Sequence, residues 1–382
     1  WSETFDRTMD DIISIQEEIA IQIATALETA MDPEALEEML QAGTSSVAAY
    51  EAFLMGQGAI RAADETGDPY EGLLALESWE RAIELDPEFS RALARLSFFW
   101  FIQSSSNQLR AGITDLPREE MLRRRFDLLD RAIRHAKNDL ERNEYIAAKA
   151  LNNHDVQRAR RLYEAHMQER PNDERVASFL PYVYSLLGLR EEISELIEKD
   201  YERFELTRDS ANQYLQDLRT PEDTELMRII AHETIEKFGS DVSILYQAHR
   251  QLLWAGDIDG ASNVLPRIEA SRLQEENKLM VRLRQLCAEN RQSEAQSLYE
   301  AAQREYQDEL SVVWITHQIM GNFDAAAEVL MPFDEEKDFD ELFNSLSYPG
   351  FDAARFPNFM EHMAGQGLED RELILAPYRC NR

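Results

Sequence analysis

The sequence predicts an all-α protein, a solenoid of stacked helical hairpins, on three observations. Arg125, Ala159, Ile193, Met227, Ala261 and Ala295 follow one another at intervals of 34 residues, the length of one helix–turn–helix unit. Only 14 Gly and 12 Pro break 382 residues, and Ala, Leu, Glu, Arg and Gln prevail, as in helical chains. A hairpin of this size cannot bury its own apolar face, so neighbours must lean on one another in series. Series stacking gives distant hairpins separate cores, so Tyr163 and Tyr299 are expected in different ones.

The slots around each phase residue repeat. Four positions later come Leu129, Tyr163, Ile197, Ala231, Leu265 and Tyr299, and seven later Ala132, His166, Asp200, Thr234, Ile268 and Ala302. Five positions earlier lie Gly188, Gly256 and Asn290, residues that tolerate the left-handed backbone between paired helices. Ala75, Trp79, Ala82 and Pro87 share their offsets with Ala159, Tyr163, His166 and Pro171. Small residues there let helices approach, the aromatic fills the gap and the proline stops the second helix.

In chain order, a segment over 1–43 opens with an amphipathic helix over 6–31, its apolar face built from Ile12, Ile15, Ile19, Ile23 and Leu27. A short helix through Met39 and Leu40 and a linker over 43–46 follow. The repeat array occupies 44–333 in about eight units. The first spans 44–87. The second, to 139, carries an insertion over 104–117, because Ala75 and Arg125 are 50 residues apart rather than 34. Phe98, Phe99, Trp100 and Phe101 are expected to pack under that insertion. Regular units then cover 140–173, 174–207, 208–241, 242–275 and 276–309, and a shorter one turns at Gly321 with Ala326 in phase. The tail over 334–382 leaves the phase. Its Phe339, Leu342, Phe343, Leu346, Phe351, Phe356, Phe359 and Met360 read as capping helices over the last repeat.

Charge and cysteine content narrow the function. Forty basic against 73 acidic residues give −33, which repels phosphate backbones and argues against nucleic-acid partners. A well-solvated acidic surface is the simplest use of that charge. The two cysteines, Cys287 and Cys380, predict no disulfide framework and point to a reducing, cytoplasmic setting, with Cys287 a buried structural thiol. The densest apolar run, 96–102, has seven residues, too few to insert in a membrane. An opening at Trp1 reads as a processed or truncated product.

Motifs for chemistry are missing. His232-Glu233 starts like a zinc-protease helix, but Glu236 stands where the second imidazole is needed. His135, His154, His166, His249, His317 and His362 form no pair four apart, and the Gly256–Gly260 stretch is a helix–helix turn rather than a phosphate cradle. Neither catalysis, a metal nor a cofactor is expected. Function should reside in the inner wall, lined by the first helix of each hairpin. Its inward slots hold Tyr145, Phe179, Tyr182, Gln213, Gln216, Tyr246, Arg250 and Arg284, with Asn212, Trp254 and Met280 nearby. Aromatics, amides and arginines of this kind suit a protein or peptide partner.

With these slots in hand, residues 44–333 resemble tetratricopeptide repeats. The resemblance implies a right-handed superhelix whose concave face binds peptide or protein segments. Some members hold a carboxylate terminus with a Lys/Asn set; here the slots carry Tyr145, Phe179 and glutamines, so that specificity is not implied. Trp1-Ser2-Glu3-Thr4-Phe5-Asp6-Arg7, then Asp11-Ile12, Ile15-Gln16 and Glu18-Ile19-Ala20, resemble the end of the TolB-like domain preceding such repeats in bacterial regulators. That second resemblance implies an alternative: a sensory or dimerisation arm of a signalling protein with a class III nucleotide cyclase or winged-helix domain. The N-terminal helix would then mediate a homodimer.

Overall fold

Local turn chemistry sets the hairpins. Gly188, Gly256, Asn290 and Gly321 make the turn inside four of the hairpins, with φ of 73°, 74°, 58° and 79°. Side-chain oxygens accept from orphan N–H groups where helices start: Ser46 from Ala49, Asp68 from Tyr70, Asn138 from Glu141, Asp155 from Arg158 and Asp241 from Ile244. A computed structural model describes residues 33–104, 114, 116–171, 173, 179–219, 223–369 and 371–381. These residues form nineteen α-helices, a short 3₁₀ turn at Ala353–Arg355 and no strand. The helix expected over 6–31 and the resemblance seen at 1–20 lie outside the described residues, as do 105–113 of the insertion.

A short helix, α1 (Pro33–Ala42), precedes eight hairpins: α2 (Val47–Thr66) with α3 (Pro69–Leu85), α4 (Ser90–Ser104) with α5 (Arg118–His135), α6 (Asp139–Asn152) with α7 (Val156–Glu169), α8 (Phe179–Leu187) with α9 (Arg190–Arg203), α10 (Arg208–Asp217) with α11 (Thr224–Phe238), α12 (Val242–Trp254) with α13 (Ile258–Glu269), α14 (Glu275–Ala288) with α15 (Gln292–Glu305), and α16 (Leu310–Met320) with α17 (Phe323–Glu336). Two short helices, α18 (Asp340–Ser345) and α19 (Pro357–His362), belong to the tail. Partners within a hairpin pack on each other, and the inner helices α8, α10, α12, α14 and α16 pack in succession. All six phase residues from Arg125 to Ala295 are buried. Phe99 and Trp100 pack edge-on at 5.4 Å, while the guanidinium of Arg125 lies 4.7 Å over Phe101. That stacking accounts for an arginine in a slot otherwise held by small or apolar residues.

Two features depart from a simple series. The curl is tight enough that α2 packs against α12, bringing the first hairpin to the sixth. Asp64 pairs with Arg208 at 2.9 Å and Asp68 with Arg272 at 2.7 Å across that closure. The tail also folds back further than a cap on the last repeat. Tyr163 and Tyr299 therefore belong to one apolar cluster rather than two, because Leu342, Phe343, Leu346, Phe351 and Phe359 of the tail connect α7 and α8 to α15–α17. The cysteine reading is corrected as well. Cys287 of α14 and Cys380 of the tail, 93 residues apart in sequence, form a disulfide because the tail returns across the inner wall.

Candidate functional site

The inner wall is built from one slot repeated. Tyr182, Gln216, Arg250, Arg284 and Gln318 succeed one another at 34-residue intervals on α8, α10, α12, α14 and α16. Closure buries its centre: every residue of α12 is buried, including His249, Arg250 and Gln251. Arg284 donates to the Tyr246 hydroxyl at 2.8 Å and stacks 4.9 Å over its ring. His249 meets Gln285 at 3.0 Å, and burial, helped by the Arg284 charge, pushes its imidazole down to about 3. Burial pushes the Asp217 carboxyl the other way, up to about 6, against the pull of Arg219.

The expected wall residues separate into two groups. Tyr246, Arg250 and Arg284 come together at the centre, where their charges and phenols act on one another. Gln213 donates to Asp217 just beside them, and Gln216 is half-buried on the same helix. Tyr182, partly buried, has its hydroxyl raised by burial while Arg125 and Asp217 act on it. Tyr145 instead belongs to the N-terminal core, its hydroxyl donating to Glu141 at 2.7 Å. Phe179 stacks on Tyr163 with centroids 5.6 Å apart, a contact with the preceding hairpin.

The chain's own tail occupies this wall. Residues 371–376 have no helix, and Ala376 and Tyr378 join the central core beside Ile193, Leu215 and Trp254. Tyr378 meets Trp254 edge-on at 6.3 Å. Backbone bonds fix the path: Cys380 N–H donates to Ile319 at 3.1 Å, Asn381 N–H to Met320 at 3.0 Å, and Gly350 N–H to Ile374 at 2.6 Å. A small cavity remains where the tail passes Gly188, Asp217 and Arg219, walled by Ser347 and Ile374.

A second anchor fastens the tail to the second and third hairpins. Arg118 of α5 bonds Asp338 at 2.6 Å and reaches Asp340 at 3.4 Å and Glu341 at 3.7 Å. His154 occupies the turn slot used by glycine or asparagine elsewhere, with φ of 62°. Its ring meets Asp340 at 2.9 Å and His362 at 3.0 Å, and stacks 4.4 Å from Phe343. Although burial raises the Asp340 carboxyl, the His154 bond and the Arg125 charge hold it below its ordinary value. His362 is lowered by burial and by His154. No spacing in the sequence announces this trio, since its members are 186 and 208 residues apart along the chain. Arg219, Tyr348 and Tyr378 likewise escaped the slot count, while Gln318 was open to it, one interval beyond Arg284.

Among the described residues no group of three His, Cys, Asp or Glu side chains is placed to hold a metal ion, and no helix is long and apolar enough to cross a membrane. No protein-family model matches the chain. Neither does any curated protein. Among solved structures it is similar to a tetratricopeptide repeat protein from Parabacteroides merdae ATCC 43184, at 12% identity and a TM-score of 0.41, over 71% of this chain and 99% of that one.

Proposed function

We propose that this helical-repeat protein is a non-catalytic binding scaffold whose inner wall takes an extended protein or peptide segment. The observation that carries this reading is the tail itself. Its last residues lie along the inner helices through backbone bonds at Ile319 and Met320 and through Ala376 and Tyr378, as an extended ligand would. Side chains of the wall offer large aromatic area at Tyr182 and Tyr246 and fork-shaped donors at Arg250 and Arg284. On this reading the tail is an internal occupant, and a partner segment replaces it. The Cys287–Cys380 bond holds that occupant in place and argues against the reducing, cytoplasmic setting expected from the cysteine count.

The test uses a labelled peptide of residues 371–381, with serine for Cys380, titrated into a chain ending at 370 whose melting transition shows it to be folded. One-to-one binding, absent with the intact chain and weakened at least tenfold by Tyr246→Ala with Arg250→Ala, is the expected result. A folded, shortened chain that ignores the peptide overturns the reading.

A further inference from the structure

The centre of the inner wall gathers buried arginines whose N–H groups are incompletely paired. Arg250 is 7% exposed and Arg284 3% exposed, and Arg219 sits partly exposed at the cavity beside them. The three are electrostatic neighbours, Arg219 of Arg250 and Arg250 of Arg284. Asp217 is the carboxylate that acts on Arg219 and Arg250. Positive charge is thus gathered in the interior of a chain whose net charge is −33. His249, adjacent to Arg284, is held neutral and adds nothing to that charge.

Their hydrogen bonds are incomplete. Arg284 has Tyr246 and Arg219 has the Ser347 carbonyl, at 2.8 and 2.5 Å. Nε and Nη2 of Arg250, Nη1 of Arg284 and Nε of Arg219 have no acceptor among the described residues. A buried guanidinium left without a counter-charge is destabilising, and like charges nearby add to it. Water can satisfy the N–H groups but leaves the charge uncompensated. Two phenols from the tail, Tyr348 and Tyr378, act on all three arginines.

We infer that Arg219, Arg250 and Arg284 form a binding site for one small oxyanion carrying two negative charges. Tyr348 and Tyr378 of the tail stand beside it, and Arg219 also lines the small cavity shared with Ser347 and Ile374. Planar guanidinium forks match the oxygens of a phosphate, a sulfate or a short dicarboxylate. Because both phenols come from the tail, the bound anion ties the tail to the wall. The site does not depend on the wall binding a peptide, and its test involves none.

Full-length protein, dialysed into chloride at pH 7.5, is titrated at constant ionic strength with phosphate, sulfate or succinate. Calorimetry counts sites, and a melting curve reads coupling to the fold. One site per chain is expected, with the midpoint rising by about 2 °C or more at a hundredfold excess over Kd. The three arms separate a tetrahedral from a dicarboxylate ligand, and binding in any of them supports the site. Arg250→Gln should lose the response, yet melt no lower than wild type in chloride, because it removes a buried charge. Arg284→Lys keeps the charge but loses the fork, and should weaken binding at least tenfold; it decides the matter if Arg250→Gln does not fold. The inference is overturned if no anion gives heat or a shift beyond chloride, or if the variants respond as wild type does.

Discussion

Helices α12 and α15 have almost the same length and opposite fates. All thirteen residues of α12 are buried, His249, Arg250 and Gln251 among them, whereas α15 buries only Ala295 and Ala302. Both are amphipathic in sequence. The difference comes from closure: α12 is hemmed in by α10, α14, its own partner α13 and, from the far end of the chain, α2. α15 is the outer member of its hairpin. In an open solenoid the polar face of an inner helix would meet water; here a tight curl and the returning tail remove it. Burial on the inner side thus follows from long-range geometry, and on the outer side from the local 34-residue pattern.

That contrast can be broken at its strongest point first. The Cys287–Cys380 bond closes a 93-residue separation, so reduction should cost about 4.6 kcal/mol of stability by the loop-entropy relation. Urea unfolding with and without reductant measures it, Cys380→Ser should reproduce the reduced value, and identical midpoints would show that the tail contributes no restraint. Next, Leu252→Ala on α12 empties a fully buried site and should cost about 3 kcal/mol. Exposed Gln296→Ala on α15 should stay within about 0.5 kcal/mol. Equal costs would erase the distinction between inner and outer helices.

Closure is probed at Gly67, whose φ is +73° and whose added Cβ would meet the Leu273 backbone nitrogen at 2.8 Å. Gly67→Ala should destabilise by about 1–3 kcal/mol, and Gly58→Ala, with open space around it, should not. The pH dependence sharpens the point. His249 has a folded value of about 3 against about 6.5 when unfolded, so the unfolded chain takes up its proton first on acidification. Its contribution is complete above about pH 6.5 and drains away as pH falls toward 3, by about 1 kcal/mol per pH unit. His249→Gln should flatten that part of a stability-against-pH curve; an unchanged slope would assign the proton elsewhere. Smallest of all, Arg272→Ala removes a largely exposed ion pair with Asp68 and should leave the urea midpoint close to that of wild type.

How much the sequence revealed follows the same division. Gly188, Gly256 and Asn290 marked hairpin turns because the residue that ends a helix is a local choice, and their positive φ values bear this out. The slot count also brought Tyr246, Arg250 and Arg284 onto neighbouring inner helices. It placed Tyr145 and Phe179 in the same wall without distinguishing hairpin packing from an open face, since both demands select an aromatic. Nothing periodic encodes where Cys380 goes, or that His154, Asp340 and His362 meet. Those contacts join segments that share no repeat, and only the folded path of the tail brings them together.

The meeting of α2 with α12 has a mechanical consequence. Repeat rods whose units touch only their neighbours lengthen gradually under load, like a coil. Here any stretch must first part the Asp64–Arg208 and Asp68–Arg272 seam, with the cystine still clasped behind it. Pulled from its two ends, the molecule should hold rigid and then give way in one abrupt event. A smooth force–extension trace would show that the clasp is not what sets its stiffness.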